Sequence, residues 1–259
     1  MGYRVNNFVN NDDVKVLDKK GAFTVVEYQR DLSVAPSSAS LAYFCNEMNV
    51  RKRQVICDLK TSPVTLQAGA MQWTVGNVES TTGIKGVGDL LTKSFRGKAT
   101  GESAIKPEYT GTGKLMLEPT YRHILLIDMA DWNGSIVLDD GLFLACESHL
   151  KHKSVARSNF SSALAGGEGL FNLGIFGNSG ILCCESFCPK EELIEVVLDN
   201  DVLKVDGNFA VAWSGSLDFT VERSGKTLLG SAASGEGLVN VYRGTGKVLL
   251  APVSRLPSR

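Results

Sequence analysis

The chain has 259 residues, with 27 Lys and Arg against 28 Asp and Glu, so its net charge is −1. Hydrophobic residues make up 43% of it, which is enough for a buried core and excludes a globally disordered protein. So balanced a charge provides no overall field that would attract nucleic acid. The start of the chain lacks an apolar signal segment, and no apolar run is long enough to span a bilayer. We therefore expect a cytoplasmic protein without a transmembrane segment.

The first part of the chain, residues 1–53, is predicted to form an arm that carries strands. Residues 22–28 are rich in β-branched and aromatic side chains, which favours a strand. Residues 33–40 have the composition of a linker or turn. The short apolar run at residues 41–45 is interpreted as a second possible strand. We expect this arm to lie against the rest of the chain.

From about residue 54 onward, apolar runs recur in three sets of the same form: two strands, a turn that contains Gly, and a third strand. Asp140-Gly141 and Asp206-Gly207 lie in two of these turns, and such a dipeptide between apolar runs predicts a hairpin. The predicted strands are residues 55–59, 64–66 and 70–73, then 124–127, 136–138 and 142–145, then 193–198, 202–205 and 209–213.

A connector and a second glycine-rich motif follow each set. Residues 86–95 place Leu90 and Leu91 on one face of a predicted amphipathic helix that ends at Phe95. Residues 154–165 are a candidate for another helix, whereas residues 223–234 are predicted to form a loop. A Gly-Glu pair then precedes two further glycines in every set. These motif residues are Gly101, Glu102, Gly111 and Gly113; Gly167, Glu168, Gly177 and Gly180; and Gly235, Glu236, Gly244 and Gly246.

The nearly constant spacing of the Gly-Glu pairs predicts three β units, at about residues 54–120, 121–187 and 190–252, and a short tail at 253–259. Units this long favour a ring that closes on itself, because closure removes exposed strand edges. We interpret the three motif carboxylates as acceptors for turning backbone. The alternative is that they converge on an axis to hold a cation or a basic group.

The pattern of Gly69-Ala70-Met71, Gly101-Glu102-Ser103, the pair Gly111 and Gly113, and Leu117 with Pro119 resembles the altered-inheritance-of-mitochondria (AIM) family. The resemblance covers roughly residues 54–252. It implies an all-β fold similar to the tryptophan RNA-binding attenuator protein (TRAP). It also implies that three β-sandwich or double-stranded β-helix units with short helical connectors surround a pseudo-threefold axis in this chain. The family brings no catalytic residues with it.

Residue types that carry catalysis are sparse. Cys183, Cys184 and Cys188 invite a zinc interpretation, but adjacent cysteines in a strand point to opposite faces. We expect six reduced thiols as small buried residues. The three histidines, His123, His149 and His152, are too few and too poorly spaced for a metal enzyme. The sequence therefore predicts no catalytic, cofactor-binding or metal-ligating residue, and no cofactor.

Two function classes follow. The preferred one is a non-enzymatic binding or scaffolding protein that meets an unknown protein, lipid surface or small ligand through its connectors, with Leu90, Leu91 and Phe95 as the candidate surface. The alternative is a TRAP-like regulator that binds nucleic acid or a small ligand, although the charge disfavours nucleic acid. An uncharacterised enzyme comes third. The oligomeric state is left open.

Overall fold

The computed structural model describes residues 2–31, 33–82, 106–156, 171–223 and 238–253. Within these ranges the chain forms eighteen strands, three short 3₁₀ turns and one α-helix, α1 (Ala39–Glu47). The strands are β1 (Val14–Lys20), β2 (Phe23–Tyr28), β3 (Arg53–Asp58), β4 (Val64–Leu66), β5 (Met71–Val75), β6 (Val78–Thr81), β7 (Glu108–Gly111), β8 (Lys114–Leu117), β9 (His123–Asp128), β10 (Ser135–Leu138), β11 (Phe143–Glu147), β12 (Lys151–Ala156), β13 (Phe171–Phe176), β14 (Ile181–Ser186), β15 (Ile194–Asp206), β16 (Ala210–Ser214), β17 (Asp218–Arg223) and β18 (Leu238–Leu250).

The strands form three antiparallel sheets. The first sheet has the order β1-β2-β3-β8-β5, and the second has the order β6-β7-β4-β11-β14-β9. The third has the order β12-β13-β10-β16-β18-β15, and β17 also pairs with β18. The protein is therefore mostly β, as the sequence predicts. Among the described residues, no helix is both long and apolar enough to cross a bilayer.

Each of the three larger hydrophobic clusters lies between sheets or within a curved one. One cluster joins side chains of β2, β3 and β8 to those of β4, β11 and β14, between the first and second sheets. Another joins β9 and β14 to β10, β13 and β16, between the second and third sheets. The third lies among β10, β15, β16 and β18, which belong to a single sheet. The second sheet is therefore covered by core on both faces.

The third sheet encloses its own cluster because its two longest strands bend. The pairing of β15 with β18 shifts between Leu198 and Asp201, where Asn200 has a φ of 51°. On β18, Gly244 has a φ of 117°, close to the 121° of Gly111 at the end of β7. A side chain is disfavoured in such a backbone conformation. At Gly111, a Cβ atom would also lie 2.2 Å from the carbonyl oxygen of Asn77.

The arm contains one confirmed prediction and one that is wrong. The predicted strand at residues 22–28 is β2, which pairs with β3 and so attaches the arm to the first sheet. The predicted strand at residues 41–45 is wrong, because these residues lie in α1. A five-residue apolar run does not distinguish a strand from a helix, and Ala39, Ala42 and Glu47 favour the helix.

In the body of the chain, the predicted strands are confirmed but the hairpins are not. Every predicted strand from residue 55 to residue 213 overlaps an observed strand, and two of them merge into β15. The turn at Asp140-Gly141, however, joins β10 of the third sheet to β11 of the second. β15 and β16, on either side of Asp206-Gly207, are separated by β18. Neither turn closes a hairpin, since a dipeptide fixes the local reversal and not the strand partner.

Two of the three glycine pairs of the second motif lie where the chain passes from one sheet to another. Gly111 ends β7 and Gly113 precedes β8, and Gly177 and Gly180 lie between β13 and β14. Gly244 and Gly246 lie within β18. Of the predicted helix at 154–165, residues 154–156 belong to β12, so the helix is wrong there, and the remainder lies outside the described residues. The connector helix at 86–95 lies outside them as well, and so does the loop predicted at 223–234, apart from Arg223, which ends β17.

Candidate binding surface

Helix α1 begins and ends with recognisable local signals. Pro36 opens a 3₁₀ turn that leads into the helix, where its fixed φ and missing N–H are tolerated. The C-terminal end is a Schellman motif centred on Asn49, whose φ is 61°. The N–H of Asn49 donates to the carbonyl of Asn46 at 3.1 Å, and the N–H of Val50 donates to that of Cys45 at 2.8 Å. The chain therefore leaves α1 in a fixed direction toward β3.

Two arginines hold this end of the helix. Arg53 Nη2 donates to the side-chain oxygen of Asn49 at 2.7 Å and to its carbonyl at 3.1 Å. Arg51 Nε donates to the carbonyl of Asn46 at 3.1 Å. Cations near the last carbonyls of a helix are favourable because the negative end of its dipole lies there. The helix is thus fixed at its C-terminal end by groups of β3 and of the loop before it.

Glu27 of β2 holds both arginines in turn. Its carboxylate lies 2.7 Å from Arg53 Nη2 and 3.3 Å from Arg51 Nη1. Arg53 and Glu27 are both buried. A buried ion pair is costly to break, because the remaining charge loses its partner away from water. This network connects the arm, the body and the end of α1.

The apolar face of α1 is exposed. Leu41, Phe44 and Met48 follow the spacing i, i+3, i+7, so they form one stripe along the helix. Their exposed fractions are 68%, 65% and 77%, and no residue of α1 is buried. Tyr43, whose ring packs edge-on against Phe44 at 5.5 Å, is also exposed. We call Leu41, Tyr43, Phe44 and Met48 the α1 face; a contiguous exposed apolar surface of this kind is typical of an interaction site.

The candidate surface predicted from the sequence involves a different part of the chain. Leu90, Leu91 and Phe95 are outside the described residues, and so are the three Gly-Glu pairs at 101–102, 167–168 and 235–236. The convergence of their carboxylates therefore stays a prediction. The α1 face was not predicted, because the apolar run at residues 41–45 is equally compatible with a strand. The signals that could have found it are Pro36, Asn49 and the i, i+3, i+7 spacing of the apolar side chains.

The cysteines have the character of core residues. Cys183 and Cys184, adjacent on β14, belong to two different hydrophobic clusters, which confirms that they point to opposite faces. Burial raises the pKa of the Cys183 and Cys57 thiols, and it raises the pKa of Cys146 to about 12. Cys45 is only half-buried. A buried thiol that stays protonated at neutral pH is a poor nucleophile.

The histidines are dispersed over three elements. His123 lies in β9, His149 in the turn after β11 and His152 in β12. Burial, followed by the nearby positive charge of Arg53, lowers the pKa of His123. Within the described ranges, no three His, Cys, Asp or Glu side chains form a group that could hold a metal ion.

Comparison with known proteins identifies the family of this chain. A protein-family model described as mitochondrial biogenesis AIM24 matches residues 48–253. The chain belongs to the AIM24 family. An uncharacterized protein of Streptococcus pyogenes serotype M6 is 30% identical over 194 residues, which are 72% of this chain and 75% of that protein. The X-ray crystal structure of the Streptococcus pyogenes protein SPYM3_0169 has a TM-score of 0.57 and 28% identity, covering 80% of this chain and 90% of that one.

This AIM24 member also has a cleft of about 270 Å³ beside β9 and the paired ends of β15 and β18. Leu125, Ile127 and Trp132 contribute apolar walls. Lys247 Nζ lies 3.1 Å from the Glu195 carboxylate and 4.6 Å from the centroid of the Trp132 ring. The charge of Lys247 is thus already balanced by a carboxylate and an aromatic face. We therefore regard the cleft as a weaker candidate than the α1 face.

Proposed function

We propose that this AIM24 family member is a non-enzymatic binding protein that docks a partner on the α1 face. The observation that supports this most strongly is the exposed stripe of Leu41, Phe44 and Met48. A short helix that presents apolar side chains at i, i+3 and i+7 has the form that enters a hydrophobic groove of another protein. Nine residues are too few for a stable isolated helix, so the anchor through Arg51 and Arg53 prepares the surface before binding.

A protein partner fits this face better than an anionic lipid surface does. The cations nearest the helix in sequence are already engaged: Arg51 and Arg53 with Glu27, and Lys52 with Asp31. Binding to anionic lipid gains about 1 kcal/mol for each unpaired Lys or Arg near the surface. Charges that are already neutralised in the protein contribute little to such an attraction.

For the body of the chain we propose the finer architecture that the family resemblance implies: three related TRAP-like units about a pseudo-threefold axis. The order of strand pairing supports it. β3 pairs with β8 and β8 with β5, while β4 pairs with β7 and β7 with β6. β9, β14 and β11 repeat the first of these trios, and β10, β13 and β12 repeat the second.

The last third of the chain pairs in the same order with longer strands. Residues 194–198 of β15 pair with residues 246–250 of β18, and residues 248–250 of β18 also pair with β16. Residues 201–206 of β15 pair with residues 239–244 of β18, and residues 238–243 of β18 pair with β17 on their other side. Each proposed unit also contributes the largest share of one large hydrophobic cluster, which the neighbouring unit helps to complete. A shift in the ladder, typical of a β-bulge, recurs just inside β5, β11 and β16, where each pairs with its neighbour.

The non-enzymatic part of the proposal is supported by the chemistry of the side chains. The thiols whose pKa is raised by burial lack the activated state that a nucleophile needs. Glu147, the buried carboxylate on β11, accepts the N–H groups of Ala22 and Ile181, both at 3.0 Å. These two bonds give it a structural task in joining the arm to β14.

Site-specific photocrosslinking in the cell of origin tests the docking surface. A photoreactive phenylalanine analogue at position 44 should give a discrete crosslinked protein product. The same analogue at Val197, an equally exposed apolar position on β15, is the matched control and should not give that product. Leu41→Ser should reduce the crosslink at position 44 while changing the free energy of unfolding by less than about 0.5 kcal/mol, because the side chain is exposed.

Two further measurements distinguish the competing ligands. Flotation with vesicles that contain anionic lipid, if it depended on Leu41 and Phe44, would favour a lipid surface and contradict the protein partner. Filter binding to single-stranded RNA over a salt series tests the TRAP-like alternative, because phosphate contacts make affinity fall steeply with salt. Identical crosslinks at positions 44 and 197 would remove the α1 face as the docking site.

A further inference from the structure

The cleft beside β9, which we call the β9 cleft, lies along an edge of the second sheet. Among the described residues β9 is the last strand of that sheet, with β14 paired on one side only. Just after β9, the N–H of Met129 donates to the carbonyl of Gly180 at 3.0 Å, on the β14 side. Successive residues of a strand direct their backbone groups to opposite sides, so those of Ile124, Leu126 and Asp128 face away from β14, toward the cleft.

A lysine side chain lies at this edge. Lys20 Nζ donates to the carbonyl of Leu126 at 3.4 Å, which is long for a hydrogen bond. A lysine at an open edge hinders unspecific strand pairing, because pairing would bury its charge. The Lys20 side chain is only half-buried, so it can turn to water when a specific segment satisfies that carbonyl instead.

The equivalent edge of the first unit is already filled, by β2 of the arm. β2 pairs with β3, which is the first strand of that unit as β9 is of the second. Phe23 and Val25 of β2 are buried in the cluster between the first and second sheets. The N–H of Ala22 donates to the carboxylate of Glu147 at 3.0 Å, so β2 contacts the second unit as well. The notch between one unit and the next thus accepts an extended segment with apolar side chains at alternate positions.

The far wall of the β9 cleft corresponds to the wall that β2 contacts. Ile181, which follows a motif glycine on β14, packs in the cluster that contains β2. Lys247, which follows a motif glycine on β18, lines the β9 cleft. The N–H of Ile181 donates to the carboxylate of Glu147 at 3.0 Å, and the N–H of Lys247 donates to the hydroxyl of Ser214, also at 3.0 Å. The β9 cleft is therefore a second copy of the notch that β2 fills, with about 270 Å³ open.

We propose that the β9 cleft binds an extended segment of a partner protein, which adds to β9 as β2 adds to β3. The inference rests on the three-unit arrangement proposed above. Apolar side chains at two alternate positions of the segment enter the cluster between the second and third sheets, beside Trp132 and Leu193. Backbone hydrogen bonds to a sheet edge supply affinity, and pockets for alternate side chains supply specificity.

The first unit predicts the register of the added segment. Asp58 of β3 lies opposite Lys114, and Asp128 of β9 lies opposite Ile181. Lys114 and Ile181 each follow a motif glycine directly, so the two aspartates occupy equivalent positions. Counting back from them, the two apolar side chains of the segment lie opposite Ile127 and Leu125, just as Phe23 and Val25 lie opposite Cys57 and Val55.

The charges at the two ends of the cleft favour basic residues on both flanks of the segment. Asp128 and Asp131 both line the cleft at the end of β9. Near the start of β9, burial lowers the pKa of His123, and the carboxylates of Glu192 and Glu191 oppose that shift, so they lie close enough to act on this end. Complementary charge at the rim favours the correct partner over others.

The lysines that line the cleft do not oppose such a segment. Lys247 is paired with Glu195 at 3.1 Å, and Lys20 contributes a contact that the segment replaces. Lys190 lies in the same 3₁₀ turn as Glu191 and Glu192, so that turn carries a net negative charge. The segment is therefore apolar in its centre and basic at its flanks.

A synthetic peptide, Lys-Lys-Gly-Ala-Phe-Thr-Val-Val-Arg, tests the proposal. It has the sequence of residues 19–26 followed by Arg, so it carries the apolar pattern of β2 between basic flanks. In hydrogen exchange followed by NMR, saturating peptide should slow exchange of the Leu126 and Asp128 amides by about tenfold or more, because the added strand accepts their hydrogen bonds. The amides of Leu125 and Ile127, which face β14, are the internal control and should change little.

Matched controls locate the binding. A peptide with Ser in place of its Phe and its first Val should bind about tenfold more weakly or worse, since it loses both side chains that enter the cluster. Leu193→Asn, in the wall of the cleft, should weaken binding of the original peptide by a similar factor. Val197→Asn, at an exposed apolar position of β15 outside the cleft, is the protein control and should bind as wild type does.

Three results would overturn the proposal. One is unchanged exchange of Leu126 and Asp128 at about 1 mM peptide, a concentration at which even a weak segment is partly bound. Another is equal binding of the original and the Ser-containing peptides, which does not depend on any protein variant. The third is loss of binding in Leu41→Ser, because the peptide would then lie on the α1 face. Unchanged binding in Leu41→Ser is expected, so this test fails or succeeds separately from the docking proposal.

Discussion

Comparison of the inner junctions, where β4 pairs with β11 and β10 pairs with β16, with the outer edges, β5 and residues 201–206 of β15, shows how equivalent strand positions differ in burial. Val137 and Trp213 face each other at an inner junction, and both are buried. At the corresponding positions of the outer edges, Lys204 and Thr74 are exposed. The strands themselves form in both places, since pairing within a unit is enough to hold them. Burial, in contrast, depends on whether a neighbouring unit is present.

The largest expected effect follows from a charge placed at an inner junction. Val137→Lys should lower the free energy of unfolding by about 3–5 kcal/mol, because an unpaired ammonium would be buried in the contact with Trp213. Val202→Lys, on an outer edge, is the control and should cost less than about 0.5 kcal/mol in a single chain. Urea denaturation measures both. Equal losses would mean that the inner and outer strands do not differ as described.

The attachment of the arm is a third kind of junction, and it depends on a buried ion pair. Arg53→Met should cost about 3–5 kcal/mol, because Glu27, in a buried site, would keep only the longer contact to Arg51 and the hydrogen bond from the neutral amide of Gln29. Adding Glu27→Gln should recover part of this loss, since the orphaned charge is then removed. Arg243→Met, at a pair with Glu222 in which both side chains are more than a third exposed, is the control and should have little effect on the denaturation midpoint. No recovery in the double variant would contradict the ion-pair explanation.

A smaller effect is expected at Glu147, which occupies an inner-junction strand. Glu147→Gln should lower the free energy of unfolding by about 1–3 kcal/mol, because an amide offers one acceptor oxygen where two N–H groups require acceptors. Glu185→Gln on the adjacent strand β14 is a control of the same chemistry. Hydrogen exchange of the Ala22 and Ile181 amides should accelerate in Glu147→Gln alone. Unchanged exchange would show that the carboxylate does not hold them.

The smallest expected effect is that of the ion pair between Asp31 and Lys52. The ammonium of Lys52 and the hydroxyl of Ser33 lower the pKa of Asp31 to about 2. Because the folded-state pKa is below the unfolded value of about 3.9, the pair stabilises the protein above pH 4 and the contribution is lost as the pH falls toward 2. Solvent screening limits it to less than about 1 kcal/mol. Wild type and Asp31→Asn should therefore differ slightly at pH 7 and converge near pH 2; a difference that persists at pH 2 would contradict this cause.

The sequence by itself predicted the strands of the body and the side-chain faces on them. Runs such as residues 64–66 and 136–138 are β-branched or apolar, and the pattern of alternate faces is a property of the extended backbone itself. For the same reason the opposite orientation of Cys183 and Cys184 followed from their adjacency. The composition also predicted a core large enough for an all-β domain.

Only the tertiary structure decided which strands pair, which turns cross between sheets and what remains exposed. Asp140-Gly141 reverses the chain locally, but β10 pairs with β13 and β16, which are distant in sequence. Residues 41–45 form a helix because the Schellman motif at Asn49 and the contacts from Arg51 and Arg53 fix its end, and a short apolar run does not encode them. Hydrogen-bond partners and burial are non-local quantities. They are set when the units meet, and the outer edges show the same strands where no further strand pairs with them among the described residues.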